Sequence, residues 1–306
     1  IAPQNLGIIY PTANEKDSVK YYGDKVTIMF VAYDAASGVD HFEWKYTKEN
    51  GTSESILDTD SGIVAAQKDT TDSSKYIGML TLPENQVEQL RGNLQIKAVD
   101  KAGKMSDGYT DTGVFVIDTI APNQKVEYRL KEGIGVSQMY GGNHYFSGAV
   151  EFTFKIEEAN FYSEDVVIKV SKDGGEPVRQ SISWSSTNAQ DEYVATMTLA
   201  DDAEYVVTME YADRSGKTMT SYTSEKIVVD TIAPTMTTEY SLADNSFENK
   251  DYYNKDLTAT FTVTERNFYK EDVIVKVKKN DGTAEIMTPT WSDDGADTHI
   301  GTLVIP

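Results

Sequence analysis

Val229-Asp230-Thr231-Ile232-Ala233-Pro234 decides how the rest of the chain is read. The hexad stands with one change as Ile117-Asp118-Thr119-Ile120-Ala121-Pro122, and its last three residues open the chain as Ile1-Ala2-Pro3. Each copy follows a short β-branched run and ends in proline. Proline fixes its own φ and pushes the alanine before it towards extended geometry. A last strand leaving a sheet and passing through a short, stiff connection into the next domain reads this way. The marks at 1, 120 and 232 therefore predict units of about 110 residues, the size of one compact domain. The expected boundaries are 1–118, 119–230 and 231–306.

Within the units, alternation predicts strands. In the first, Val26, Ile28, Phe30 and Ala32 share one face, and Phe42, Trp44 and Tyr46 repeat the pattern after a Ser37-Gly38 turn. Leu94, Ile96 and Ala98 follow, then Val114 to Ile117. Asn50-Gly51 signals a hairpin, and Glu84 to Leu90, between Pro83 and Gly92, is the one expected helical turn. Unit two gives Val150 to Ile156, Val166 to Val170, Tyr193 to Leu199 and Tyr205 to Tyr211, again alternating. Short strands at this spacing predict an all-β, two-sheet sandwich.

Unit three copies unit two. Asn160 to Val170 matches Asn267 to Val277 at eight of eleven positions, and the same offset of 107 carries Glu158 to Glu265 and Trp184 to Trp291. On that offset Pro306 stands where Leu199 does. Counterparts of the strands around Tyr205 to Tyr211 and Ile227 to Val229 are thus missing, and are expected beyond residue 306. Unit one is a more distant relative. It shares the closing turn, Asp100-Lys101-Ala102-Gly103 against Asp213-Arg214-Ser215-Gly216, with aspartate opening and glycine three residues later as in a type I turn.

The Asp-x-x-Gly turn, the final β-branched strand and the Asp-Thr-Ile-Ala-Pro junction resemble the tandem bacterial immunoglobulin-like repeats of large Gram-positive surface proteins. The resemblance covers the whole chain. It implies tandem sandwiches arranged as an elongated rod, and roles as stalks, adhesins or accessory modules of secreted enzymes. Some members in gut commensals bind host antibody variable domains as superantigens.

Composition narrows the function. The chain is 39% hydrophobic with 19 tyrosines, no cysteine and a net charge of -21. Such a charge argues against nucleic acid or an anionic membrane as partner, since phosphate neutralisation needs clustered Lys and Arg. It suits solubility first, and charge-steered binding or cation capture second. Without cysteine, core packing must do the work of the inter-sheet disulfide found in many immunoglobulin domains. No apolar run approaches the roughly 20 residues of a membrane span. The chain starts inside a junction motif and is read as a fragment.

Catalytic chemistry is not expected. His41, His144 and His299 lie in different units without a second histidine or a cysteine at ligand spacing, and no nucleophile elbow or phosphate-cradling loop is present. Calcium is the one inorganic candidate. Asp118 and Asp230 precede the junctions, Glu158 and Glu265 precede the Asn-Phe-Tyr motifs, and carboxylates converging there could stiffen a joint. The alternative is that the aspartates only cap turns.

For protein binding, Phe161 and Phe268 should pack inward, leaving Tyr162 and Tyr269 outward beside acidic residues. The stretch Gln138 to Tyr145, with Met139, Tyr140, His144 and Tyr145, has the aromatic and small-polar composition of a binding loop. It could equally be an irregular approach to a strand starting near Tyr145. Trp44, Trp184 and Trp291 are expected in sandwich cores. The expectation is a non-enzymatic, extracellular protein of the bacterial surface or cell wall. It would bind a host protein, an immunoglobulin variable domain or a mucosal glycoprotein, through strand edges or loops. The alternatives are a spacer presenting another domain, or a carbohydrate-binding module of a secreted glycosidase.

Overall fold

The structure, a computed structural model, describes every residue except 49–60, 84–88, 112, 134 and 249. In unit one the chain runs through β1 (Gln4–Ile9), β2 (Asn14–Lys16), β3 (Val19–Tyr22), β4 (Val26–Tyr33), β5 (Val39–Lys48), β6 (Ser61–Ala65), β7 (Gln67–Lys68), β8 (Lys75–Leu82), β9 (Gln89–Asp100), β10 (Tyr109–Thr110) and β11 (Phe115–Asp118). They form two sheets, β1-β4-β8-β7 and β2-β3-β11-β9-β5-β6, with β10 added to β9. A four-stranded sheet of this order against a sheet centred on the last, penultimate and third major strands is the immunoglobulin pairing. Strand β3 runs parallel to β11, Tyr21 opposite Val116 and Tyr22 opposite Ile117.

The expected alternation is what fills the space between the sheets. Successive side chains on a strand point to opposite faces, so Ile28 and Phe30 of β4 meet Phe42 and Trp44 of β5 and Leu94 and Ile96 of β9 in one core. Each such side chain contributes roughly 1.5–3 kcal/mol on burial, and this apolar core holds the sheets together where no disulfide can. The hairpin expected at Asn50-Gly51 lies outside the described residues. The helical turn expected over Glu84 to Leu90 is corrected at its end, because Gln89 and Leu90 begin β9. Residues 84–88 lie outside the described residues.

Unit two repeats the plan: β12 (Asn123–Leu130), β13 (Ser137–Tyr140), β14 (Asn143–Phe146), β15 (Val150–Glu157), β16 (Val167–Lys172), β17 (Val178–Arg179), β18 (Ser185–Ser186), β19 (Glu192–Leu199), β20 (Ala203–Glu210), β21 (Tyr222–Thr223) and β22 (Ile227–Val229). The sheets are β12-β15-β19-β18 and β13-β14-β22-β20-β16-β17, and β14 is parallel to β22 as β3 is to β11. One 3-10 turn, Ser163–Asp165, follows the Asn-Phe-Tyr motif. The closing turns form as expected. Gly103 and Gly216 donate their N–H to the carbonyls of Asp100 and Asp213, and both hold the positive φ that favours glycine.

Unit three consists of β23 (Thr235–Tyr240), β24 (Asn245–Phe247), β25 (Lys250–Tyr252), β26 (Leu257–Thr264), β27 (Val275–Val277), β28 (Glu285–Met287), β29 (Thr290–Asp293) and β30 (Thr298–Ile305). Its first sheet, β23-β26-β30-β29, is whole. The second is split into two hairpins, β24-β25 and β27-β28, because among the described residues no strand corresponds to β20 or β22. The buried core shrinks accordingly to Ala259, Phe261 and Leu303, with Phe247, Ile274 and Ile286 left exposed.

Candidate functional site

The aromatic motifs do not face solvent. Phe161 packs inward, stacked 4.2 Å from Tyr193 and edge-on 5.4 Å from Trp184. Its neighbour Tyr162 therefore points away from its own core, but the surface it meets is unit one. Its hydroxyl lies 2.7 Å from that of Tyr21 and accepts from Arg91 Nη1 at 3.0 Å. The expectation of an outward-pointing Tyr162 is corrected, and so is that for Tyr269. Tyr269 hydrogen-bonds Tyr145 and packs its ring 4.4 Å from that of Tyr140. Tyr21 and Tyr145 hold the same place, paired to the middle of the last strand of their units. The two junctions thus repeat one tyrosine pair.

Gln138 to Tyr145 is not an irregular loop. It forms the hairpin β13–β14, turned by Gly141 and Gly142, both at positive φ. Of its candidate residues, Tyr140 and Tyr145 serve the second junction. His144 is bonded to Ser137 Oγ at 2.7 Å and stacked on Phe146. Met139 stands exposed on the outer strand. Trp44 is buried, and Trp184 and Trp291 are half-buried against their cores.

The first junction has a clasp that the sequence reading missed. Arg214, second residue of the closing turn, is buried with its guanidinium 3.2 Å from the centre of the Tyr162 ring. It donates through Nε to Asp165 at 2.8 Å, through Nη2 to Glu164 at 2.6 Å and through Nη1 to Asp17 of unit one at 3.4 Å. Asn14 Nδ2 donates to the Arg214 carbonyl at 2.7 Å, and Lys16 pairs with Asp165 at 3.0 Å. Gly23 is what permits this approach: a Cβ there would sit 2.4 Å from the carbonyl oxygen of Ser215.

Beneath this clasp three carboxylates converge. Asp118 ends β11, Glu158 follows β15 and Asp213 opens the turn after β20; all three are buried, and one oxygen from each lies within 4.8 Å of the others. Asp118 accepts from Asn160 Nδ2 at 2.9 Å and from the Ile120 N–H at 3.1 Å. Glu158 Oε1 accepts from the Asn160 N–H at 2.7 Å, and Asp213 Oδ1 from the Lys217 N–H at 2.8 Å. The remaining oxygens, Glu158 Oε2 and Asp213 Oδ2, are buried without a hydrogen-bond donor. Burial, followed by the charge of Asp118, pushes the Glu158 carboxyl up to about 8. Burial likewise pushes Asp213 up to about 6, against the pull of the Lys217 amide. A set of three carboxylates with no nitrogen or sulfur donor suits a hard cation.

Sequence reasoning pointed to Asp118 and Glu158 and missed Asp213, which looked like an ordinary turn residue. At the second junction, Asp230 and Glu265 are brought together through Asn267. Its Nδ2 donates to Asp230 at 2.8 Å and its N–H to Glu265 at 2.7 Å. No third carboxylate joins them among the described residues.

No protein-family model matches the chain, and no curated protein matches it. Among solved structures it is similar to a marsupial T cell receptor at 14% identity, over 72% of this chain and 100% of the receptor chain, with a TM-score of 0.22. At that score the likeness carries no functional argument, and the immunoglobulin-like architecture rests on the strand order itself.

Proposed function

We propose that the chain is a non-enzymatic, extracellular array of three immunoglobulin-like domains, bounded at 118 and 230. It would display a host-protein-binding surface in a fixed orientation, as a repeat of a Gram-positive surface protein would. The repeated joint supports this most. Tyr21 with Tyr162, and Tyr145 with Tyr269, are the same hydroxyl pair, and Asn160 with Asp118 is matched by Asn267 with Asp230. Contacts copied from joint to joint hold relative orientation, which matters to an array that presents a surface. The outer edge of β13, which pairs with no further strand among the described residues and has Val136 and Met139 exposed beside it, is the place for a partner strand to add.

The test is surface plasmon resonance of the full chain over immobilised antibody Fab fragments and over purified mucin. Saturable binding is expected, weakened about ten-fold by Met139→Arg at the edge. Silence on both surfaces would turn the reading to a spacer, and a response confined to a glycan array would turn it to a carbohydrate-binding module. Gly23→Val separates the two parts of the reading. By wedging Ser215 away it should broaden the inter-domain geometry seen by small-angle scattering while leaving the binding edge of β13 intact.

A further inference from the structure

We propose that Asp118, Glu158 and Asp213 form a calcium site that closes the first junction. The inference goes beyond the binding role above and is independent of which partner the array meets.

The geometry fits one ion. Oxygens bound to a common calcium at about 2.4 Å can be no more than about 4.8 Å apart, and the three carboxylates meet that bound. Each is held by its own backbone: Asp118 by the Ile120 N–H, Glu158 by the Asn160 N–H, Asp213 by the Lys217 N–H. The set is therefore oriented before any ion arrives.

A second, independent observation points to a ligand. Glu158 and Asp213 are 2% and 5% exposed, yet each leaves one oxygen buried without a donor. Native structures rarely leave buried acceptors in that state. The basic side chain nearest in sequence does not answer them, because Arg214 commits its guanidinium to Asp165, Glu164 and Asp17.

Unit one provides an internal control. Asp34 follows β4 as Glu158 follows β15, and Asp100 opens the closing turn as Asp213 does. There the Ser37 hydroxyl reaches both, 3.1 Å from Asp34 Oδ2 and 2.9 Å from Asp100 Oδ2. The pair shares a hydroxyl in unit one. In unit two that hydroxyl is missing and a third carboxylate, from the neighbouring unit, is added.

Calcium fits better than its competitors. Zinc prefers nitrogen and sulfur donors. Magnesium keeps several waters in strict octahedral geometry, whereas calcium accepts six to eight oxygens in irregular arrangements and can lose more of its shell in a buried space. With Asp118 from unit one and the other two ligands from unit two, the ion would tie the units directly together.

The experiment is calorimetric titration of the chelator-treated full chain with calcium chloride at pH 7.5, with magnesium chloride in parallel, alongside melting curves. One saturable calcium site is expected, and the melting temperature should rise by on the order of 10 °C at calcium 100-fold above its Kd. Glu158→Gln and Asp213→Asn should each weaken the site about ten-fold or more, while melting in chelator no lower than the parent. Glu157→Gln, at the exposed neighbouring position, should leave it unchanged. Absence of a saturable site, equal affinity for magnesium, or binding untouched by both ligand substitutions would overturn the proposal.

Discussion

Unit one and unit two place a carboxylate pair at the same two points of the sandwich and surround it in opposite ways. Around Asp34 and Asp100 donors gather. For Asp34, burial acts to raise the carboxyl, but the N–H groups of Ala36, Ser37 and Gly38 and the Ser37 hydroxyl outweigh it and hold it low. For Asp100 the Lys104 N–H leads, and it too is held low. Around Glu158 and Asp213 donors are few, burial dominates and both are raised. What differs is the neighbour: the unit-two pair lies under a junction, where a third carboxylate takes the place of a hydroxyl. The same β-sandwich position can be a self-satisfied turn or half of an inter-domain centre, depending on what the preceding domain supplies.

The hardest test of this contrast lies in the closing turns. Arg214 is buried among carboxylates of both units, whereas Lys101, at the same turn position, is exposed. Arg214→Ala should cost about 3 kcal/mol, since it leaves the part-buried Asp165 without its guanidinium and strips the cation from the Tyr162 ring at the junction, and Lys101→Ala should stay within about 0.5 kcal/mol. Urea unfolding of the two variants measures both, and equal losses would break the comparison.

Ser37→Ala comes next. Removing the shared hydroxyl leaves two buried carboxylates facing each other and should destabilise unit one by about 2 kcal/mol, read from the melting curve. A neutral result would mean that the backbone donors alone satisfy the pair.

The pH dependence sharpens the contrast further. Glu158 and Asp213 hold their protons more tightly folded than unfolded, so the folded state binds more protons. Stability of calcium-free unit two should therefore fall as pH rises from about 4.5 through about 8. The groups facing the pair are Asp118, Tyr193 and Tyr211, and the two tyrosines, raised above 10, stay neutral in that window. Asp34 and Asp100 give the opposite sign: their contribution is lost as pH falls below the ordinary carboxylate range. Melting scans between pH 4 and pH 8.5 in chelator should separate the units. Smallest of all is Glu265→Gln at the second junction, where two half-buried carboxylates share Asn267. It should shift stability by less than about 0.5 kcal/mol and leave the calcium response intact.

The strands were legible because burial imposes a period of two. Val150, Phe152, Phe154 and Ile156 announce β15, and all four are fully buried. The 107-residue offset likewise leaves β20 and β22 without counterparts in unit three, and among the described residues its second sheet stands as two hairpins. Asp118 and Glu158 could be singled out because the repeat places them beside the junction. Asp213 could not, since its Asp-x-x-Gly context is explained by the turn alone. Only the sandwich topology carries that turn over the end of β11. Tyr162 was misread for a related reason. Alternation with Phe161 says that it leaves its own core, and says nothing of whether water or another domain lies on that side.

The parallel pairing of β3 with β11, and of β14 with β22, has a mechanical consequence. Tension applied to the two ends of such a domain pulls these neighbours in opposite directions along their length. Their bonds must then break together by sliding, not one after another by peeling. Asp118 closes the clamp of unit one, so the load leaves that strand directly into the carboxylate cluster.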